Sequence, residues 1–300
     1  MNDTIVIPQL SNSIIAKVSK QGITKIGEID IPFDSKSIVT KNDLVVSLCF
    51  ETQTLTVHDT AGSLLLEKGD SQYKAINVKG NIVYLGGEYR SRYPFKGEMF
   101  SVLNLEDVNL SPTTMDLPIK VVEGKSIDDI LIKGSDLILV DNVVYPKYLI
   151  KYDISTPEHP THLETIQLPS GAPNDHIIKG DINEDWTVLF SSASYHGGNS
   201  QNISVSGKTE GYLHLNKSWL SIISDDPYSK ISYIDFSLVN NYLYVLRSDG
   251  LGYIDLNKKI SNEDFIPIKT ENSNFSRLIK SRSNRLVAVY GRGYELIDTR

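Results

Sequence analysis

Apolar runs in this chain are short. Leu, Ile and Val come two to four at a time, and no stretch keeps the 3.6-residue period of an amphipathic helix. The runs end in small polar residues, and the endings recur. Ala16-Lys17-Val18-Ser19, Thr56-Val57-His58-Asp59, Ser101-Val102-Leu103-Asn104, Lys151-Tyr152-Asp153, Ile203-Ser204-Val205-Ser206, Tyr253-Ile254-Asp255 and Leu296-Ile297-Asp298 are seven such endings. Their last residues are spaced 40, 45, 49, 53, 49 and 43 apart. Short strands repeating at that period predict an all-β fold, a single β-propeller over residues 1–300 with one four-stranded blade per repeat. Seven markers favour seven blades; six is the alternative.

One repeat shows the pattern in full. Asp129-Ile130-Leu131-Ile132-Lys133-Gly134, Asp136-Leu137-Ile138-Leu139-Val140 and Tyr148-Leu149-Ile150-Lys151-Tyr152-Asp153 read as three strands, nearly all aliphatic because both faces are buried. His162-Leu163-Glu164-Thr165-Ile166-Gln167-Leu168 alternates, as an outer strand with one wet face does. Lys133-Gly134-Ser135 is turn chemistry, and Lys79-Gly80-Asn81, Lys179-Gly180 and Asn240-Asn241 are read as its counterparts.

The segment Lys151-Tyr152-Asp153-Ile154-Ser155-Thr156-Pro157-Glu158-His159-Pro160-Thr161-His162-Leu163 resembles the LVIVD-type propeller repeat: an aliphatic-Asp-aliphatic-Ser step followed by a Pro-x-x-Pro turn. The resemblance covers this one blade, since the others lack the paired prolines. It implies the propeller fold and no particular activity.

At the ends, residues 13–31 align with 53–71 as third and fourth strands, and residues 4–10 align with a second strand. Phe275 to Asp298 offers a first, second and third strand. In the six-blade alternative, Ile23-Thr24-Lys25-Ile26-Gly27-Glu28-Ile29 completes the last blade. In either count the ends meet, because an open ring exposes sheet edges.

The net charge of -7 argues against nucleic acid as a partner, since phosphate neutralisation needs a basic surface, and permits a cationic one. The single cysteine, Cys49, lies in the apolar run Val45-Val46-Ser47-Leu48-Cys49-Phe50 and reads as a core residue. No signal-peptide pattern opens the sequence and no stretch reaches transmembrane length, so the expectation is a cytoplasmic protein without a membrane role.

Candidate chemistry concentrates in three connections between second and third strands. These are Glu88 to Gly97 with Tyr89, Arg90, Arg92, Tyr93 and Phe95; Asn142 to Lys147 with Tyr145 and Lys147; and Ser194 to Asn199 with Tyr195 and His196. The corresponding connections Glu51-Thr52-Gln53, Asp249-Gly250 and Gly291-Arg292 are short. Tyr and Arg are over-represented at binding hot spots, so these nine residues are the expected partner-binding set.

A second candidate is Asp129, Asp175 and Asp235, each five residues before a presumed turn after a first strand. Convergent carboxylates bind calcium or do acid–base work; the bland reading is aspartates that hydrogen-bond backbone. Asp128 and Asn174 would join a calcium set. The six histidines have no metal-ligand spacing, no Gly-x-Ser-x-Gly elbow occurs, and Gly250-Leu251-Gly252 and Gly291-Arg292-Gly293 read as hairpin turns.

The sequence thus favours a non-catalytic, cofactor-free repeat protein engaged in protein–protein interaction, such as an inhibitor or immunity protein for a cationic toxin or enzyme domain. The alternative is a calcium-dependent hydrolase or lactonase-like enzyme using the three carboxylates.

Overall fold

The computed structural model describes residues 3–9, 12–32, 35–49, 51–69, 73–88, 99–107, 110–119, 125–141, 147–167, 176–183, 185–195, 198–207, 220–224, 232–258, 265–272, 274–291 and 293–299. Every regular element among them is a β-strand.

The first sheet holds β1 (Thr4–Ile7), β2 (Ser13–Ser19) and β3 (Gly22–Ile29). The second holds β4 (Lys36–Val39), β5 (Val45–Cys49), β6 (Thr54–His58) and β7 (Leu64–Lys68). The third holds β8 (Tyr73–Lys79), β9 (Ile82–Gly87), β10 (Phe100–Asn104) and β11 (Thr113–Thr114). The fourth holds β12 (Ile127–Lys133), β13 (Asp136–Asp141), β14 (Tyr148–Asp153) and β15 (Thr161–Gln167). The fifth holds β16 (His176–Ile182), β17 (Trp186–Tyr195), β18 (Gly198–Gly207) and β19 (Leu220–Ser224). The sixth holds β20 (Tyr233–Val239), β21 (Tyr242–Arg247), β22 (Gly250–Asp255) and β23 (Ile266–Pro267). The seventh holds β24 (Arg277–Lys280), β25 (Leu286–Tyr290) and β26 (Gly293–Ile297).

In each sheet hydrogen-bonded neighbours follow chain order, the meander of a propeller blade. Among the described residues five sheets have four strands and two have three. By alignment of the repeats, the described strands of the first sheet are a second, third and fourth, and those of the seventh a first, second and third. Ile23–Ile29 lies in β3, hydrogen-bonded to β2.

The repeat period has a local cause. Asp59 Oδ1 accepts from Ala61 N at 2.9 Å and Ser63 N at 2.8 Å. Asn104 Oδ1 accepts from Glu106 N, Asp153 Oδ1 from Ser155 N, Asp255 Oδ1 from Asn257 N, and Ser19 Oγ from Gln21 N. Each of these five markers follows or ends a third strand, and its side chain bonds the backbone two residues on, turning the chain toward the fourth.

The chain divides into two compact units, residues 1–10, 14–25 and 171–300 in one, and residues 11–13 and 26–170 in the other. In the second unit the core lies between sheet faces. Val46, Leu48, Leu55 and Val57 pack against Val83, Leu85 and Leu103. Tyr84, Phe100 and Val102 pack against Ile130, Leu137, Leu139 and Ile150. In the first unit Phe190 and Ile203 meet Phe236 and Val245, and Tyr244 and Leu246 meet Leu278 and Leu286. There too Ile5, Ile7, Ile14 and Ala16 close on Val287 and Val289. Cys49 is buried, as its sequence context implies.

Candidate functional site

Four first strands carry the same irregularity. Register shifts fall between Tyr73 and Ala75, Ile127 and Asp129, Ile177 and Lys179, and Tyr233 and Asp235. Each is a bulge with one extra residue: Lys74, Asp128, Ile178 and Ile234. A bulge bends the strand and re-aims a side chain, and bulges favour functional ends of sheets.

In the second unit the bulges of β8 and β12 open onto a polar cluster. Lys36 Nζ donates to the Asp128 carbonyl at 3.0 Å. Ser126 Oγ donates to Asp128 Oδ1 at 2.6 Å. Ser126 also forms a bridge with Glu88, just beyond β9, and Glu88 pairs with Lys74 at 2.5 Å. Lys125 Nζ reaches Asp141 Oδ2, at the end of β13, at 2.5 Å, and stands 4.9 Å from the centroid of the Tyr148 ring. The Lys125 and Asp141 side chains are 3% and 0% exposed. Burial pushes the Asp141 carboxyl up to about 6, against the opposing pull of Lys125; Asp128 raises it further and Lys147 lowers it. Asp141 Oδ1 is buried and has no hydrogen-bond partner among the described residues. This cluster occupies the bases of two of the long connections, those leaving β9 and β13.

Lys147 belongs to the cluster. It is 8% exposed, and its charge acts on Asp141, lowering its pKa. The third long connection is also different from expectation. Ser194 to Asn199 is the tip of a hairpin in which Tyr195 pairs with Gly198 and Ser192 with Gln201. Its strands, β17 and β18, are 10 residues each, against 5 or 6 for the second and third strands of the other four-stranded sheets. Tyr89, Arg90, Arg92, Tyr93, Phe95, Tyr145 and His196 lie outside the described residues, and for Tyr195 only the backbone is described.

The three carboxylates resolve differently. Asp129 Oδ1 accepts from its own neighbour, Ile130 N, at 2.9 Å. Asp235 Oδ1 accepts from Phe236 N at 2.8 Å and Lys179 Nζ at 2.7 Å, and Oδ2 accepts from Leu278 N at 2.7 Å. Asp175 lies outside the described residues. The alignment that selected Asp175 was four residues out of step. The β16–β17 turn is built on Asn183, whose Oδ1 accepts from Asp185 N and Trp186 N, while Gly180 pairs with Leu189 inside the strand. The counterpart of Asp129 and Asp235, first after the bulge, is Lys179. In the first unit that lysine also donates to the Phe236 carbonyl, and Lys280 donates to Asp181 at 2.6 Å and to the Leu238 carbonyl at 3.0 Å. Asp181 Oδ2 accepts from Leu238 N. Three first strands are thus laced together by two lysines and two aspartates. Among the described residues no group of three or more His, Cys, Asp or Glu could hold a metal ion.

Sequence reasoning passed over Lys36, Lys74, Lys125 and Asp141. Asp141 had a signal: it is the charged end of the aliphatic run Leu137 to Val140.

No family model matches the chain and no curated protein matches it, so the LVIVD-type resemblance has no match behind it. Solved structures do resemble it. A protein from Lactobacillus plantarum aligns with TM-score 0.64 and 11% identity over 99% of this chain and 96% of its own. Virginiamycin B lyase from Staphylococcus aureus aligns with TM-score 0.57 and 11% identity over 98% of this chain and 93% of its own. The extracellular domain of a putative hybrid two-component system from B. thetaiotaomicron aligns with TM-score 0.54 and 12% identity; this chain is covered to 99% and spans 40% of that one. At these identities the likeness concerns architecture alone. This chain has the β-propeller fold.

Proposed function

We propose that this chain is a non-catalytic protein-binding propeller that engages its partner through the elaborated connections between second and third strands. The β17–β18 hairpin carries the reading. Among the described residues it runs past its neighbours in the sheet, where β16 pairs as far as Ser192 and β19 as far as Asn202. Its outer part, residues 191–202, is Ser-Ser-Ala-Ser-Tyr-His-Gly-Gly-Asn-Ser-Gln-Asn, with no acidic residue, lysine or arginine. Tyr, Ser, Gly and Asn dominate natural binding loops, where Tyr supplies area at low entropic cost and the small polar residues adapt their hydrogen bonds. The net charge of -7 favours a basic partner and a salt-sensitive encounter, as for an inhibitor or immunity protein of a cationic domain.

The competing reading is a calcium-dependent hydrolase built on Asp129, Asp175 and Asp235. It would require Asp235 to give up Lys179 and two backbone donors, and it meets a lysine at the third equivalent position.

The test replaces residues 193–200 by Asn-Gly, a two-residue hairpin turn that keeps the Ser192–Gln201 pair. Affinity isolation from the source cells should return one tight, basic partner with the intact chain and none with the shortened one, at unchanged Tm. Tyr93→Ala and Tyr195→Ala should each weaken that complex by about 2 kcal/mol. Partner capture indifferent to all three changes would defeat the proposal. A calcium-dependent rise in Tm that disappears in Asp175→Ala would establish the competing one.

A further inference from the structure

The seventh sheet presents an edge that other sheets cover. In the sixth sheet β23 lies along β22: Gly252 pairs with Pro267, Tyr253 with Ile266, and Ile268 N donates to the Leu251 carbonyl at 2.9 Å. Fourth strands run antiparallel along third strands in the second, fourth and fifth sheets too. In the seventh sheet no strand lies beyond β26 among the described residues. The Val289 carbonyl, opposite Tyr294, accepts from Ser276 N at 2.7 Å on the β24 side. That pair therefore makes no ladder bonds between β25 and β26, and the backbone groups of Tyr294 point outward; by alternation those of Leu296 do so too. The side chains of Tyr294 and Leu296 pack against the core of the first sheet. Counted back from the markers Asp255 and Asp298, Tyr294 to Leu296 match Leu251 to Tyr253; the former are partly exposed and the latter buried. Glu295 stands opposite Ala288, which belongs to the core shared with the sixth sheet. Its Oε2 is buried and has no hydrogen-bond partner among the described residues.

We propose that the outer edge of β26 binds an extended, basic strand of a partner protein, which adds antiparallel as the fourth strand of the seventh sheet and sets a lysine or arginine against Glu295. Two observations choose the occupant. The outward N–H and C=O groups of Tyr294 and Leu296 are spaced for a strand, which returns all of their bonds. A buried carboxylate oxygen without a donor is costly, and a cation on the added strand relieves it. Glu295 takes the position between the outward pairs, where opposite side chains come closest. A second copy of this chain fits less well. Antiparallel self-pairing through both Tyr294 and Leu296 sets Glu295 against its own copy, two like charges. The net charge of -7 also favours a basic occupant. This surface goes beyond the connections proposed above and does not rest on them.

The experiment uses the full chain and two short synthetic peptides of alternating threonine and valine, one with lysine at its centre and one with glutamate. Amide hydrogen exchange is followed by NMR along β26. In the free chain Tyr294 and Leu296 should exchange fast, while Glu295 and Ile297, whose amides face β25, should be protected. The lysine peptide near saturation should slow Tyr294 and Leu296 on the order of tenfold. The glutamate peptide should bind at least about fivefold more weakly. In Glu295→Gln the two peptides should bind within about twofold of each other. Methylating the lysine peptide at the backbone nitrogens that face β26 should abolish binding, which separates strand pairing from charge attraction elsewhere. Slow exchange at Tyr294 and Leu296 in the free chain would show the edge already covered and overturn the proposal. So would indifference to the central residue, binding that survives backbone methylation, or no binding at millimolar peptide. Protection that rises with chain concentration, with a dimer in sedimentation, would make a second copy the occupant and overturn it as well. Shortening the β17–β18 hairpin leaves all of these readings unchanged, so the two proposals fail separately.

Discussion

At the scale of single residues, space and protons decide most. Gly86 lies in β9, and a Cβ there would stand 2.5 Å from Ile127 Cγ2 and 2.9 Å from Ile127 Cβ. Ile127 belongs to a packed core, so Gly86→Ala should cost about 1–3 kcal/mol, seen as a lower urea midpoint at unchanged m-value. Two buried groups give opposite pH signatures. Burial holds His58 below the usual imidazole range, against the raising effect of Asp59 and Glu67. The unfolded chain therefore binds the proton first, and stability falls as pH drops below about 6.5. Asp141 is raised to about 6, so the native state binds its proton first. Its contribution grows as pH falls from about 6 toward about 4 and is lost as pH rises back through 6. Tm profiles between pH 7 and pH 5 should then drop less in His58→Gln than in wild type, and more in Asp141→Asn. The polarity of these residues was legible in the sequence. Their burial was not, because His58 and Asp141 end apolar runs where a strand can equally reach water.

At the scale of elements, the first strands of the first unit are held as much by polar lacing as by apolar faces. Asp235→Ala removes the acceptor for Lys179, Phe236 N and Leu278 N together. The expected loss is about 1–3 kcal/mol, at the lower end because a third of the Lys179 side chain meets solvent. Asp235→Asn should recover part of it, since an amide oxygen still accepts from the backbone; chemical denaturation of the two variants makes the comparison. Strands and their order were readable from apolar runs and from markers whose side chains shape the next turn. The β16–β17 turn misled because Lys179-Gly180 imitates Lys133-Gly134, whereas Asn183 supplies the hydrogen bonds that turn the chain. The long β17–β18 hairpin was hidden for a related reason: Ser, Gly and Asn read as loop, and cross-strand pairing overrides that local preference.

At the scale of the whole molecule, the repeat gave the architecture, while the site was only half legible, because a cluster assembled from β8, β12, the approaches to β4, β12 and β14, and the ends of β9 and β13 has no local signature. Removing residues 1–12 should unfold or aggregate the protein. The deletion takes away Ile5 and Ile7, which pack against Val287 and Val289, and Asp3, which accepts from Ser281 Oγ at 2.8 Å and from Ser283 N at 3.1 Å. A thermal scan unchanged by that truncation would show β1 to be dispensable. The same contacts have a consequence on the ribosome. Asp3 and its partners in Ser281 and Ser283 are separated by 278 and 280 residues. β1 therefore waits, with its apolar side uncovered, until β25 has been synthesised. Such delayed pairing slows folding and exposes the nascent chain to aggregation. Translation speed and chaperone supply, more than equilibrium stability, should set the yield of this protein in a cell.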